Sequence, residues 1–225
     1  MKLLSQPWRF STPRCWWVGC WYVGIVGIVG IVGIVGAALI AGCTLTQPAA
    51  TKRSFLIDPP IPAAGNRNNN EVVRINRFVV AQPFDGRGLV YRFDTHRFET
   101  DFYNEFLATP ATMLTEASIR HLSASKLFRA AVPMVSSVDA KLILEASVTE
   151  LYGDFRAAQT PAAVVGIRYL LARDDTLVLL DRAFSRRIAL SANSPDALVA
   201  GFNRAISEIL DELLAELSAL ELIKG

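Results

Sequence analysis

Beyond residue 52 the chain breaks into short apolar runs separated by polar and proline-containing stops. Residues 53–58 (RSFLID) read as a first strand, ended by Pro59 and Pro60, which cannot donate to a ladder. Residues 63–70 form a polar loop. Residues 71–82 (EVVRINRFVVAQ) are strand-like with an imperfect period of two: Val73, Ile75 and Arg77 fall on one side, and Val72, Arg74 and Phe78 off it. A Pro/Asp/Gly turn at 83–88 precedes a strand pair at 89–93 and 97–103, joined near Asp94-Thr95-His96. Thr109-Pro110 supplies an N-cap with proline at the first helical position, so a helix runs to about residue 123 with Leu114, Ala117, Ile119 and Leu122 as apolar surface. Two β-branched runs follow at 140–152 and 163–172, and the turn Arg173-Asp174-Asp175-Thr176 leads into 177–190, a series of antiparallel strands. Ser194-Pro195-Asp196 opens a last helix. Leu198, Phe202, Ile206, Ile209, Leu213, Leu217 and Leu220 repeat on it at helical spacing as a packing stripe, with Glu208, Asp211, Glu212 and Glu216 largely off that face. The pattern predicts an α+β fold: a single domain, mainly antiparallel sheet with packed helices.

The segment before residue 52 follows a different pattern. No charge occurs from Cys15 to Thr51, most of that run is apolar, and a Gly-Ile-Val repeat occupies 24–35. A basic start, an apolar centre and small residues before a cleavage point make the layout of a secretory signal. The apolar part approaches the ~20 residues that cross a bilayer, which keeps an uncleaved anchor open as the alternative. Glycines every third residue drift around a helix of about 3.6 residues per turn, so they build no single close-packing seam. The run ends in Ile40-Ala41-Gly42-Cys43, which resembles the lipobox of bacterial lipoproteins. The thiol is the nucleophile for diacylglyceryl transfer, and the small residues before it admit a signal peptidase to the backbone. One acyl chain anchors only marginally, whereas two or more hold a protein stably to the bilayer. The chain is thus expected to comprise a signal peptide at 1–42, a lipidated N-terminus and linker at 43–52, and a domain at 53–222. Membrane lipid is engaged through acylated Cys43. By the same resemblance Thr44, where an Asp would retain the protein at the inner membrane, implies the periplasmic face of the outer membrane, with the inner membrane left open as the alternative.

Charge and candidate chemistry narrow the function. Lys2, Arg9 and Arg14 precede Cys43 with no acid among them, and with 23 basic and 21 acidic residues in all, the rest is near neutral. That leaves no clustered basic footprint for nucleic acid. The cysteines are Cys15, Cys20 and Cys43, so cleavage before Cys43 leaves no internal disulfide. His96 reads as a strand-turn residue and His121 as an exposed or partly packed helix residue. Neither has His, Cys or acidic neighbours at metal-ligand spacing, and no cofactor or metal is expected. Asp154 reads as a strand-end residue and Arg186-Arg187 as a solvated basic pair. No nucleophile, acid–base pair or phosphate loop stands out, which favours binding or assembly over catalysis. Phe84, Tyr91, Phe93, Phe98 and Tyr103 crowd the early strands, and Tyr152 and Phe155 sit at a strand end. Either alternate members fill the core, or an exposed edge among Phe84, Tyr91, Phe93, Tyr152 and Phe155 docks a partner.

Several local sequences, in order, resemble the ABC-type transport auxiliary lipoprotein family. They are Ser54-Phe55-Leu56-Ile57-Asp58-Pro59, Leu89-Val90-Tyr91-Arg92, Thr109-Pro110-Ala111-Thr112-Met113-Leu114, Ala124-Ser125-Lys126-Leu127-Phe128 and Glu150-Leu151-Tyr152-Gly153-Asp154-Phe155, followed by the capped terminal helix. The resemblance covers roughly 54–217. It departs from the family where members often carry Trp- or Tyr-rich sequence before the first helix and this chain has Tyr103-Asn104-Glu105-Phe106. The resemblance implies a non-catalytic accessory lipoprotein beside an ABC permease, an ATPase and a mammalian-cell-entry (MCE) domain protein in envelope lipid transport, and it leaves homo-oligomers open. An assembly or regulatory lipoprotein serving another envelope complex, such as a cell-wall synthase, is the alternative. Cys43→Ala is expected to abolish fatty-acid labelling and to leave the precursor at its larger size. Labelling with normal cleavage would exclude the lipoprotein reading.

Overall fold

A computed structural model describes residues 51–63, 70–174 and 176–220. Ile40, Ala41, Gly42 and Cys43 lie outside them. The described part is an α+β domain: a nine-stranded, curled mixed sheet with two helices. Its strands are β1 (Arg53–Phe55), β2 (Val72–Ile75), β3 (Val79–Val80), β4 (Gly88–Arg92), β5 (Phe98–Phe106), β6 (Ala130–Pro133), β7 (Leu142–Asp154), β8 (Ala162–Arg173) and β9 (Leu177–Ala189). The helices are α1 (Pro110–Ser125) and α2 (Pro195–Ala219).

The expected antiparallel series is the body of the sheet: β7 pairs with β8, and β8 with β9, along nearly their full lengths. The short strands add in parallel. On its other edge β7 takes β2, β3 and β4 in succession, at Leu142–Leu144, Ser147–Val148 and Gly153–Asp154. β5 runs antiparallel to β4, and β1 parallel to β5.

The imperfect alternation at 71–82 has a specific cause. Val73 and Ile75 are buried, then Phe78 and Val80, so the phase slips by one between β2 and β3. In the gap Asn76 N–H still donates to Leu144 O (3.0 Å), whereas Phe78 N–H donates to Thr115 Oγ1 on α1 (3.0 Å). The first strand stops at Phe55 because Asp58 is drawn to the helices. Arg120 donates to its carboxylate (2.7 Å), while its own N–H donates to Asn203 Oδ1 (2.8 Å). The strand β6, which no sequence signal announced, pairs in parallel with β2.

The stripe on α2 is its packing face. Leu198, Phe202, Ile206, Ile209, Leu213 and Leu217 are fully buried against β8 and β9, and Leu220 packs at the margin. Each such side chain contributes about 1.5–3 kcal/mol by leaving water. Gly201 lets the helix approach the sheet, since a Cβ there would stand 2.7 Å from that of Ala163. Ser194 Oγ accepts from Ala197 N–H (3.2 Å) as the N-cap. Thr109 precedes Pro110 as expected, but its hydroxyl pairs with that of Thr112 (3.0 Å) instead of capping an amide. Among the described residues no helix is long and apolar enough to cross a membrane.

His121 corrects the expectation of an exposed or partly packed residue. It is 2% exposed between the helices, with Nε2 3.0 Å from Asp211 Oδ1. Burial lowers its pKa, and the Asp211 carboxylate opposes that shift without reversing it. The folded state therefore favours the neutral ring. The corresponding stability is present above the ordinary value of 6.5 and is lost as pH falls through it toward the lowered folded value. His121→Gln, which retains a donor for Asp211, is expected to flatten the decline in urea-unfolding free energy between about pH 7 and 5. Equal slopes in both proteins would exclude this role.

Candidate functional site

The end of β7 positions the site. Opposite it on β4, Tyr91 pairs with Gly153 and Arg92 with Asp154, and Phe155 N–H donates to Arg92 O (2.8 Å). Gly153 is required by a close approach: a Cβ there would lie 2.7 Å from Phe155 Cε2 and 3.0 Å from a methyl of Leu198. The Phe155 ring can thus lie back across the strand. It meets Tyr91 edge-to-face at 5.5 Å between centroids and Phe93 at 6.2 Å, while Tyr91 and Phe93 are 6.3 Å apart. These three half-buried rings, with Asp101 and the residues 193–195 leading into α2, line an apolar groove of about 330 Å³.

The opposite face of β4 holds a second aromatic group. Tyr152 stacks on Phe84 at 5.8 Å and meets Phe98 edge-on at 5.5 Å. Arg92 covers both Phe98 and Tyr152, and its Nη1 donates to Tyr152 Oη at 3.3 Å. The residues expected as contacts therefore divide. Phe84 and Tyr152 are buried and serve packing, whereas Tyr91, Phe93 and Phe155 open onto the groove.

Two carboxylates organise the polar surroundings. Asp101 Oδ1 accepts from the N–H groups of Tyr103 (2.8 Å) and Asn104 (2.9 Å), and Oδ2 accepts from Asn104 Nδ2 and Tyr91 Oη (2.8 Å each). Burial alone would raise the Asp101 pKa, but together these donors lower it. Tyr91 is pushed well above the usual phenol range by burial and then by its bond to Asp101. Asp154 exposes none of its side chain. Arg156 grips it through Nε (2.9 Å) and Nη2 (2.7 Å), and Arg187 Nη1 donates from β9 (2.5 Å). The Arg156 contacts, ahead of burial in the opposite sense and of Arg187, hold its carboxyl far below the usual range.

Arg186-Arg187 is thus not a solvated pair. Alternation on β9 sends Arg187 to Asp154 and Arg186 to Glu208 and Glu212 on α2. Sequence reasoning missed the Asp154–Arg187 ladder because nothing local marks a partner on a distant strand. Among the described residues no group of three or more His, Cys, Asp or Glu is placed to hold a metal. The groove offers aromatic faces and one fully occupied carboxylate, an arrangement suited to contact.

A curled mixed sheet with two helices is a fold shared with solved proteins. XCC0632 from Xanthomonas campestris, of the DUF330 family, superposes with a TM-score of 0.66 at 16% identity, over 76% of this chain and 100% of that one. A second crystal structure, of an uncharacterized protein, gives 0.61 at 17% identity over 74% and 99%. Both show the fold alone, and no curated protein matches the chain. The model of the ABC-type transport auxiliary lipoprotein component matches residues 55–213, and the chain belongs to that family.

Arg187→Ala is expected to cost about 1–2 kcal/mol, toward the low side for a charged hydrogen bond because Arg187 is itself partly exposed. Adding Arg156→Ala should cost more than the sum of the two single changes, since Asp154 then has neither partner. Urea-unfolding midpoints of the three variants check this. Strict additivity would show that the arginines do not share the carboxylate.

Proposed function

We propose that the protein is a non-catalytic accessory subunit of an MCE-linked envelope lipid transporter. In this reading it is tethered through acylated Cys43 to the periplasmic face of the outer membrane and works beside an ABC permease, an ATPase and an MCE-domain protein. The observation that carries it is the family match across residues 55–213. The Ile40-Ala41-Gly42-Cys43 motif supports the anchor. The groove of Tyr91, Phe93 and Phe155 supports a contact role: half-buried rings held at fixed spacings present apolar area at low entropic cost, as interface anchors do.

The test is affinity capture of the full protein after envelope cross-linking, with Phe93→Glu in parallel. Capture of transporter subunits, reduced at least several-fold by Phe93→Glu at unchanged thermal stability, is the expected result. Recovery of a cell-wall synthase with no transporter subunit, together with unchanged phospholipid distribution on deletion, would overturn the proposal in favour of the other envelope role.

A further inference from the structure

The pairing of β4 with β5 is interrupted. Gly88 stands opposite Glu105 and Val90 opposite Thr100, so residues 101–104 of β5 face Leu89 alone and bulge out of the ladder. Gly88 makes room, since a Cβ there would come within 2.4 Å of Thr100 Cγ2 and 2.8 Å of Asp101 O. The Asp101 carboxylate pins the bulge through the amides of Tyr103 and Asn104, and Tyr91 holds Asp101 from below. A bulge re-aims side chains, and this one presents Phe102 and Tyr103 outward. They are 69% and 46% exposed, with their rings edge-to-face at 5.2 Å. A pinned loop that exposes two large aromatic rings has no packing explanation.

The bulge lies where the chain joins the domain. Parallel pairing of β1 with β5 sets Arg53 opposite Asn104 and brings Lys52 Nζ 4.7 Å from the Phe102 centroid. Cys43 is nine residues before Lys52. At ~3.3–3.6 Å per residue, an acylated Cys43 holds this point within about 30 Å of the bilayer. We propose that Phe102 and Tyr103 are the surface through which the domain rests on the phospholipid interface. The proposal rests on the Cys43 anchor of the preceding section.

The chemistry fits a lipid interface. Aromatic side chains favour the headgroup level of a bilayer, and a lysine beside them keeps its ammonium in water while its stem lies on apolar surface. The local charges are paired, Lys52 with Glu105 (3.8 Å) and Arg53 with Asp196 (2.7 Å). The contact therefore depends on the rings and suits zwitterionic lipid. A short tether holds the rings at high effective concentration, so a contact too weak to recruit a free domain suffices.

The four tryptophans, Trp8, Trp16, Trp17 and Trp21, all precede Cys43. Phe102→Trp therefore gives the processed protein a single reporter. Val135→Trp is the control: Val135 is 93% exposed beside β6, at the far end of the strand order from β1. Full-length protein is expressed in a Gram-negative host, purified and reconstituted into phosphatidylcholine vesicles with or without brominated acyl chains. The expected result is blue-shifted emission from Trp at 102, quenched by brominated lipid, with Trp at 135 neither shifted nor quenched. If vesicle-bound, lipidated protein shows the same water-exposed emission from both positions, the interface contact is overturned while the anchor stands. Purification of an unprocessed chain with unmodified Cys43 overturns the anchor and this proposal with it. If a photo-cross-linking residue at 102 yields only protein adducts in whole cells, the surface belongs to a protein partner and the lipid contact is likewise overturned.

Discussion

The 13-residue strand β7 has to satisfy its backbone on both edges, because an unpaired amide or carbonyl inside the domain costs about as much as a lost hydrogen bond. One edge is matched by β8 almost end to end. The other is shared among β2, β3 and β4, and the chain leaves the sheet between them. The phase slip at Asn76–Phe78 and the 3-10 turn Gln82–Phe84 follow from filling one long edge with three short pieces. So does the position of the groove. The last piece, β4, sets Tyr91 beside a residue without a side chain and Arg92 beside a buried acid.

Legibility followed the range of the interactions. The stripe on α2, the N-cap at Ser194 and the β7–β8–β9 series are local patterns of period and punctuation, and their positions agree with the sequence reading to within a few residues. The strand β6 carried no such mark: its four residues include Pro133, and it is defined only by pairing with a strand about sixty residues earlier. His121 looked like a polar helix residue because its partner, Asp211 on the other helix, lies 90 residues away.

The groove was legible in composition and not in geometry. Aromatic crowding in residues 84–103 and at 152–155 was plain, yet which rings face the core depends on parity along the strands. The bulge at 101–104 and the register shift between Val148 and Glu150 both change that parity. The second of these displaces Tyr152, and Phe84 lies in a 3-10 turn outside any strand, so alternation did not separate them from Tyr91 and Phe93. The Asp101/Asn104 spacing was the one local hint, since such side chains cap nearby amides and open the backbone into turns.

The same carboxylates bear on what the groove can do. A general base needs a pKa near the working pH and a lone pair aimed at substrate. Asp101 and Asp154 have lowered pKa values, and their oxygens are occupied by donors from Tyr91, Tyr103 and Asn104 in one case and from Arg156 and Arg187 in the other. Tyr91, shifted upward, keeps its proton and spends it on Asp101. Asp101, Asp154 and Tyr91 are thus committed to holding backbone or rings in place. The groove and the bulge both present aromatic surface, with Asp101 as the brace that serves both.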